Sequence, residues 1–198
     1  PEAVKQVAMA DRLLLTKCDL ADTETLVRVA TAVRDINPGA MQVEVRGGVL
    51  DPALATGCGL YDPTTKNADV GRWLGEEAVR AQGGHGHAGR HSSGVSSFVL
   101  RFARPFVWHE FTEALDVLLS TCGDRILRVK GLIDVVGDPA PRVVHCVQHI
   151  RYPEASLAAW PEDDHASRLV FIVRNFDRQY VEKAFAMFCD ATPEEHAA

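Results

Sequence analysis

Residues 13–15 are three consecutive leucines, set between the charged pair Asp11-Arg12 and the polar turn Thr16-Lys17-Cys18-Asp19. An apolar run this short, closed by polar residues at both ends, suits a strand covered on both faces. After the turn, Asp22 or Thr23 can cap a helix running through Ile36, with Leu26, Val29, Ala30, Val33 and Ile36 at helical spacing. Asn37-Pro38-Gly39 stops that helix, and Met41 to Val45 reads as a second short strand. Asp51-Pro52 opens another short helix by a cap and a first-turn proline. Residues 1–10 read as the end of a helix with Val4, Val7 and Ala8 on one stripe. Residues 1–60 therefore alternate helix, strand, helix, strand, helix, the closing units of a doubly wound α/β sheet. Ligands of such sheets gather outside the carboxyl ends of the strands. Thr16–Asp19 lies there, and so does Arg46-Gly47-Gly48 if the two strands are parallel.

The turn has a readable chemistry. A carboxylate such as Asp19 can accept two parallel hydrogen bonds from the N1 and exocyclic N2 hydrogens of guanine, a pair of donors that adenine lacks. The stem of Lys17 can lie along the face of the base while its ammonium stays wet. Backbone N–H groups of Gly47 and Gly48 can approach a base carbonyl. Taken alone, the same residues also suit a plain strand, turn and helix cap. A phosphate-binding loop of the form Gly-x-x-x-x-Gly-Lys-[Ser/Thr] does not occur in the chain. Its nearest imitation, Gly84-His85-Gly86-His87-Ala88-Gly89-Arg90-His91, lacks the lysine and the hydroxyl and has no strand before it. With no catalytic acid–base pair or nucleophile triad in a convincing context, this stretch of polypeptide is not expected to hydrolyse a nucleotide by itself.

A net charge of −6 argues against nonspecific nucleic-acid binding, which needs a basic face. No apolar run reaches the ~18 residues of a membrane span. The five cysteines are widely spaced, with no Cys-x-x-Cys, which fits a reducing cytoplasm better than a disulfide framework. The first residue is Pro1, not Met, so the chain reads as cut from something longer.

Residues 61–80 are turn-rich with a short helical stretch around Trp73–Val79, and they close the first unit, 1–80. Residues 81–95 are a Gly- and His-rich flexible linker. His85, His87 and His91 carry imidazoles of the kind that bind zinc, cobalt or nickel, though without a fixed fourth ligand the affinity would be modest. A solvated spacer explains the same composition.

From residue 96 the pattern is that of an α+β domain. Ser96–Ala103 alternates, with Phe98, Leu100 and Phe102 on one face. Trp108 to Thr121 is a helix striped by Phe111, Ala114, Leu115, Leu118 and Leu119, with Gly123 as its stop. Ile126 to Val136 alternates again. Leu127, Val129, Ile133 and Val135 face the core, Arg128, Lys130 and Asp134 face out, and Gly131 marks a bulge or a close backbone approach. Outward-facing Arg128 and Lys130 suit a solvated face, an acidic partner or the preceding domain. Arg142 to Ile150 is a further strand, on which His145 and His149 share a face some ~13 Å apart, too far to chelate one ion. Leu169 to Val173 is a central strand, Arg178 to Phe188 the last helix, and 191–198 a disordered tail. The order gives a mainly antiparallel sheet with helices on one face, spanning residues 96–190. An open sheet of this kind could bind RNA, but it would need exposed aromatics among basic residues.

The turn Thr16-Lys17-Cys18-Asp19 resembles the guanine-specificity element of GTPases, usually Asn-Lys-x-Asp. Ala10-Asp11-Arg12-Leu-Leu-Leu-Thr16-Lys17-Cys-Asp19-Leu20 is similar to the ADRxLLNKxDL stretch of the CobW family. Ile126-Leu-Arg128-Val-Lys130-Gly131 resembles the ILRxKG signature of the CobW C-terminal domain, and Arg142…His145…Gln148-His149…Trp160-Pro161…Ser167-Arg168 follows that domain's order. The family comprises cytoplasmic P-loop GTPases linked to metal insertion and homeostasis, including cobalt for cobalamin and zinc. The resemblance implies the end of a G domain followed by a whole CobW C-terminal domain. GTP or GDP with Mg would be bound in the intact protein, with Zn or Co as the metal handled. The implied partners are the N-terminal half of the G domain and a metal-dependent client protein, and a homo-oligomer is compatible with it. The P-loop, the magnesium residues and the metal-binding Cys-x-Cys-Cys element would lie upstream. Asp19 and Lys17 match residue for residue, whereas Thr16 stands in place of Asn and can keep only part of its contacts. The competing expectation is a stand-alone protein- or metal-binding α+β module whose first 60 residues merely brace it.

Overall fold

The structure, a computed structural model, describes residues 2–56, 74 and 94–194. Most of the linker 81–95, with His85, His87 and His91, lies outside the described residues, as does the stretch around Trp73–Val79 apart from Leu74.

The first unit is α1 (Glu2–Met9), β1 (Arg12–Leu15), α2 (Thr23–Ile36), β2 (Met41–Glu44) and α3 (Pro52–Ala55). β1 and β2 pair in parallel, Arg12 opposite Met41 and Leu14 opposite Val43. Asp22 caps α2, accepting from the Thr25 N–H, and Asp51 caps α3 at Ala53. Asn37, from the turn that ends α2, is buried and donates through Nδ2 to the carbonyls of Val7, Ala8 and Ala10 at 2.8, 3.2 and 2.9 Å. These carbonyls lie at and just past the last turn of α1, where helical N–H partners run out, so the end of α2 closes the end of α1.

The second unit is a six-stranded sheet with two helices. Its strands are β3 (Val95–Phe102), β4 (Ile126–Ile133), β5 (Arg142–Val147), β6 (Ile150–Arg151), β7 (Ala155–Ser156) and β8 (Ser167–Arg174). Its helices are α4 (Trp108–Cys122) and α5 (Arg178–Cys189). The spatial order is β3-β8-β4-β5-β6, with β7 pairing β5, and the neighbours run antiparallel. α4 and α5 cover one face. They enclose Leu100, Phe102, Val129, Ile133, Leu169 and Phe171 together with their own Phe111, Leu115 and Phe185. Phe106, between β3 and α4, meets Phe102, Phe111 and Phe185 with ring centroids 5.0–5.9 Å apart, an arrangement favoured by ring quadrupoles.

The opposite face is covered as well, by the first unit. Ala8, Val4 and Met9 of α1 and Ile36 of α2 pack on Val95, Leu127 and Ile172. All eight residues of β4 are buried in consequence. This corrects the alternation expected for the strand. A register shift between Ile126 and Arg128 inserts Leu127 as an extra residue, so Ile126 and Val129 enter the helix-covered core while Leu127 turns under α1. The outward placement of Arg128 and Lys130 is likewise corrected, for they are only 2% and 8% exposed.

The strand expected over Arg142–Ile150 is two strands joined at Gln148-His149, where Gln148 takes a left-handed φ of 51°. His145 and His149 therefore do not share a strand face. Gly123 does end α4, but in right-handed conformation. A side chain there would collide with the His149 ring and the Leu119 carbonyl. The tail is held at least to Glu194, whose N–H donates to the Arg101 carbonyl and whose carboxylate meets the Arg101 guanidinium at 2.5 Å.

Gly131 marks the close approach expected of it. A Cβ there would lie 2.5 Å from Leu169 Cδ2 on the neighbouring strand. Gly131→Ala should overpack the centre of the sheet and lower stability by about 1–3 kcal/mol, measured by urea denaturation.

Candidate functional site

Two places concentrate chemistry. The first is the carboxyl end of the parallel pair. Leu15 accepts from the Val45 N–H at 2.8 Å, and Cys18 returns a bond to the Val45 carbonyl at 3.2 Å, so the turn after β1 is stitched to the end of β2. Buried Cys18 also points its thiol at the Leu15 carbonyl, 3.0 Å away. Lys17 adopts φ of 60°, a left-handed conformation rare for a long side chain. Thr16, Lys17 and Asp19 are exposed. Asp19 does not cap α2, a role taken by Asp22. Its Oδ1 instead accepts the Gly47 N–H at 2.8 Å. That bond, aided by Arg46, holds the Asp19 carboxyl below the ordinary carboxylate value. Arg46 also donates to the Cys18 carbonyl at 3.2 Å. Gly47 and Gly48 have positive φ, 56° and 74°, with open space beside each, so the loop presents backbone without side chain. The result is an ionised, oriented carboxylate beside a Gly-Gly edge.

The second place is the seam between the units. Arg128, Lys130 and His145 come from the adjacent strands β4 and β5, with Lys130 opposite His145. Asp11, between α1 and β1, faces them. Arg128 donates through Nη1 to the Met9 carbonyl at 2.6 Å and through Nη2 to Asp11. Lys130 Nζ lies 3.0 Å from the same carboxylate oxygen. Arg128 Nη2 is also 3.2 Å from His145 Nε2, which makes that nitrogen the acceptor of a neutral ring. The imidazole stacks on Tyr152, centroids 5.1 Å apart. Burial alone would raise the Asp11 carboxyl, but Lys130 and Arg128 outweigh it and hold it below the ordinary value. Burial, then the charge of Arg128, pushes His145 down to about 4. A small cleft, of about 20 Å³, opens beside these residues, lined by Asn37, Arg128, Lys130, Val170 and Ile172.

The two places lie at opposite ends of β1. Sequence reasoning singled out Thr16, Lys17, Asp19, Arg128 and Lys130. It assigned no role to Asp11, although Asp11 stands inside the quoted motif; it read Asn37 only as a helix stop and pointed the Gly47 N–H at a base carbonyl, whereas that N–H is taken by Asp19. His149 is apart from the seam, with Nδ1 donating to the Leu119 carbonyl at 2.8 Å. Among the described residues, no three His, Cys, Asp or Glu side chains converge on a possible metal position, and no helix is long and apolar enough to cross a membrane.

Residues 95–189 match the family described as the cobalamin synthesis protein cobW C-terminal domain. The matched stretch is the second unit, from β3 to the end of α5, and the α/β unit with its Thr-Lys-x-Asp turn precedes it. Among curated proteins it is similar to the zinc chaperone YjiA of Escherichia coli, 28% identical over 184 residues. That alignment covers 93% of this chain and 54% of the relative. Among solved structures it is similar in fold to the Zn(II)-bound YjiA GTPase from E. coli, with a TM-score of 0.62 and 24% identity. A triple mutant of that GTPase, also with Zn(II), matches equally. Both matches cover 94% of this chain and 54% of the other. The chain thus spans about half the length of the relatives it matches.

The seam sets a pH dependence. The folded state disfavours protonation of His145, so as pH falls below its ordinary value of 6.5 the unfolded chain binds the proton first. The stability contributed by neutral His145 is complete above about 6.5 and is lost as pH falls towards 4. Urea midpoints measured from pH 7 to pH 4 should decline through this window, and His145→Gln should flatten that part of the decline.

Proposed function

We propose that this chain is the guanine-recognising end of a G domain joined to a CobW C-terminal domain, within a larger GTP-binding protein that handles a metal ion. The observation that carries the reading is Asp19: ionised, exposed, oriented by the Gly47 N–H, and relieved of helix capping by Asp22. Its two oxygens would accept from N1 and N2 of guanine. The Lys17 stem would lie along the ring, and Gly47 and Gly48 allow the base to come close to the backbone. Thr16 stands beside them with a shorter side chain than the asparagine of the family pattern, which should lower affinity for the base without changing its identity.

Open apolar surface supports the fragmentary nature of the first unit. β1 and β2 expose Leu14 and Met41, 38% and 42%, on one shared face. Parallel sheets are ordinarily covered on both faces. The N-terminal half of the G domain would cover this surface and supply the phosphate-binding loop, with Mg at the phosphates. Zinc is the metal favoured by the likeness to a zinc chaperone, with cobalt the other candidate from the CobW resemblance. His85, His87 and His91 would offer it transient ligands near the linker. The C-terminal sheet would then answer to nucleotide state and to a metal-dependent client in the cytoplasm.

Calorimetry tests the reading. The 198-residue chain should bind GDP weakly or not at all, and the longer polypeptide should bind it tightly. Tight binding by the 198-residue chain alone would overturn the division of labour. In the longer polypeptide, Asp19→Asn should weaken GDP at least about tenfold while improving binding of the xanthine nucleotide, whose C2 carbonyl oxygen suits an amide donor. Unchanged GDP affinity would remove Asp19 from the site.

A further inference from the structure

We propose that Asp11 is a positioning residue for the Thr16–Asp19 turn, and that through it the C-terminal sheet and the turn sense each other's state. The inference rests on the guanine reading only for the purpose of the turn, since the coupling itself is a property of the chain described above.

The geometry is that of a short rod held at both ends. β1 has four residues, about 13 Å of strand, running from Asp11 to Thr16. Sideways it is fixed by β2 and by Arg12, whose Nη1 reaches the carbonyls of Ala53, Leu54 and Thr56. At its start, Asp11 is gripped by two cations on the central strand of the other unit. At its end, the backbone passes directly into Thr16, Lys17 and the Cys18–Val45 bond. No flexible residue intervenes.

If Asp11 leaves, Arg128 and Lys130 stay buried without that carboxylate, a costly condition. The route onward into the sheet is equally direct. Arg128 touches His145, His145 stacks on Tyr152, and Tyr152 follows the β5–β6 hairpin, bonding back to the His145 carbonyl at 3.0 Å. A shift of that hairpin therefore moves the ring packed against Arg128. In the other direction, a ligand that pulls on Asp19 draws on β1 and on Asp11. Coupling of this kind is reciprocal by thermodynamic necessity.

Both directions can be measured by NMR in the 198-residue chain. Arg128→Met removes the main grip while keeping the apolar stem. It should speed amide exchange at Cys18, Val45 and Gly47 by at least about fivefold relative to Val181→Ala, a truncation in the helix-covered core that serves as the stability control. If Arg128→Met does not fold, Arg128→Lys, which keeps the charge but loses the forked donors, should give a smaller change in the same amides. In the reverse direction, Asp19→Asn, an exposed substitution at the far end of β1, should shift the His145 ring signals at neutral pH. Exchange at Cys18, Val45 and Gly47 no faster than in the control, or His145 signals unmoved by Asp19→Asn, would overturn the inference. A longer polypeptide that fails to bind GDP would remove the guanine role yet leave these shifts in place, so the two failures are distinguishable.

Discussion

The pairing of Asp11 with Arg128 and Lys130 is the interaction on which the architecture turns. β4 is central in its sheet and covered on both faces, so any charge on it is taken out of water. Two cations placed there would cost several kcal/mol each if left bare. Asp11 and the Met9 carbonyl offset that cost, and both belong to the first unit. Docking of the first unit is therefore a condition for burying the cations, and burying them fixes where the first unit docks. Apolar packing of Ala8, Val4 and Met9 on Leu127 and Ile172 supplies area. The ionic contact supplies register, because a guanidinium fork accepts few alternative geometries.

From that anchor the functional end of the first unit follows. Asn37 closes the end of α1, the Asp11 contact fixes the start of β1, and β1 delivers the Thr16–Asp19 turn beside the Gly47-Gly48 edge. A carboxylate intended for a ligand must be spared from local structural duties. Here two aspartates divide the work: Asp22 caps α2, while Asp19 is left exposed and held by the Gly47 N–H with the charge of Arg46 nearby. The same division leaves the negative group exposed at the carboxyl ends of the parallel strands, where doubly wound sheets bind ligands.

Much of the fold was legible beforehand because its elements announce themselves locally. The stripe Phe111, Ala114, Leu115, Leu118, Leu119 became the buried face of α4 residue for residue, since a helix repeats its facing every three to four residues whatever lies opposite. The run Leu169–Val173, apolar at every position, became a central strand buried on both faces. Legibility ended where one residue or one turn broke the period. The extra residue at Leu127 moved it to the opposite face, and the Gln148-His149 turn split a strand that the sequence shows as continuous. A bulge and a two-residue hairpin carry little compositional signal here, having neither glycine nor proline at the break.

Taken by itself, the sequence determined the main helices and strands, the Thr-Lys-x-Asp turn after the first strand, and a mainly antiparallel sheet with helices on one face. Each of these depends on periodicity and on caps within a few residues of one another. Only the tertiary structure decided what Arg128 and Lys130 do. Alternation placed them on a water-facing side, and in isolation that side would be wet. Their partner Asp11 is 117 residues away from Arg128 in the chain, and no local pattern encodes a contact at that separation. Whether a charge on a strand is solvated or buried is settled by what docks over it, and that is a property of the assembled molecule.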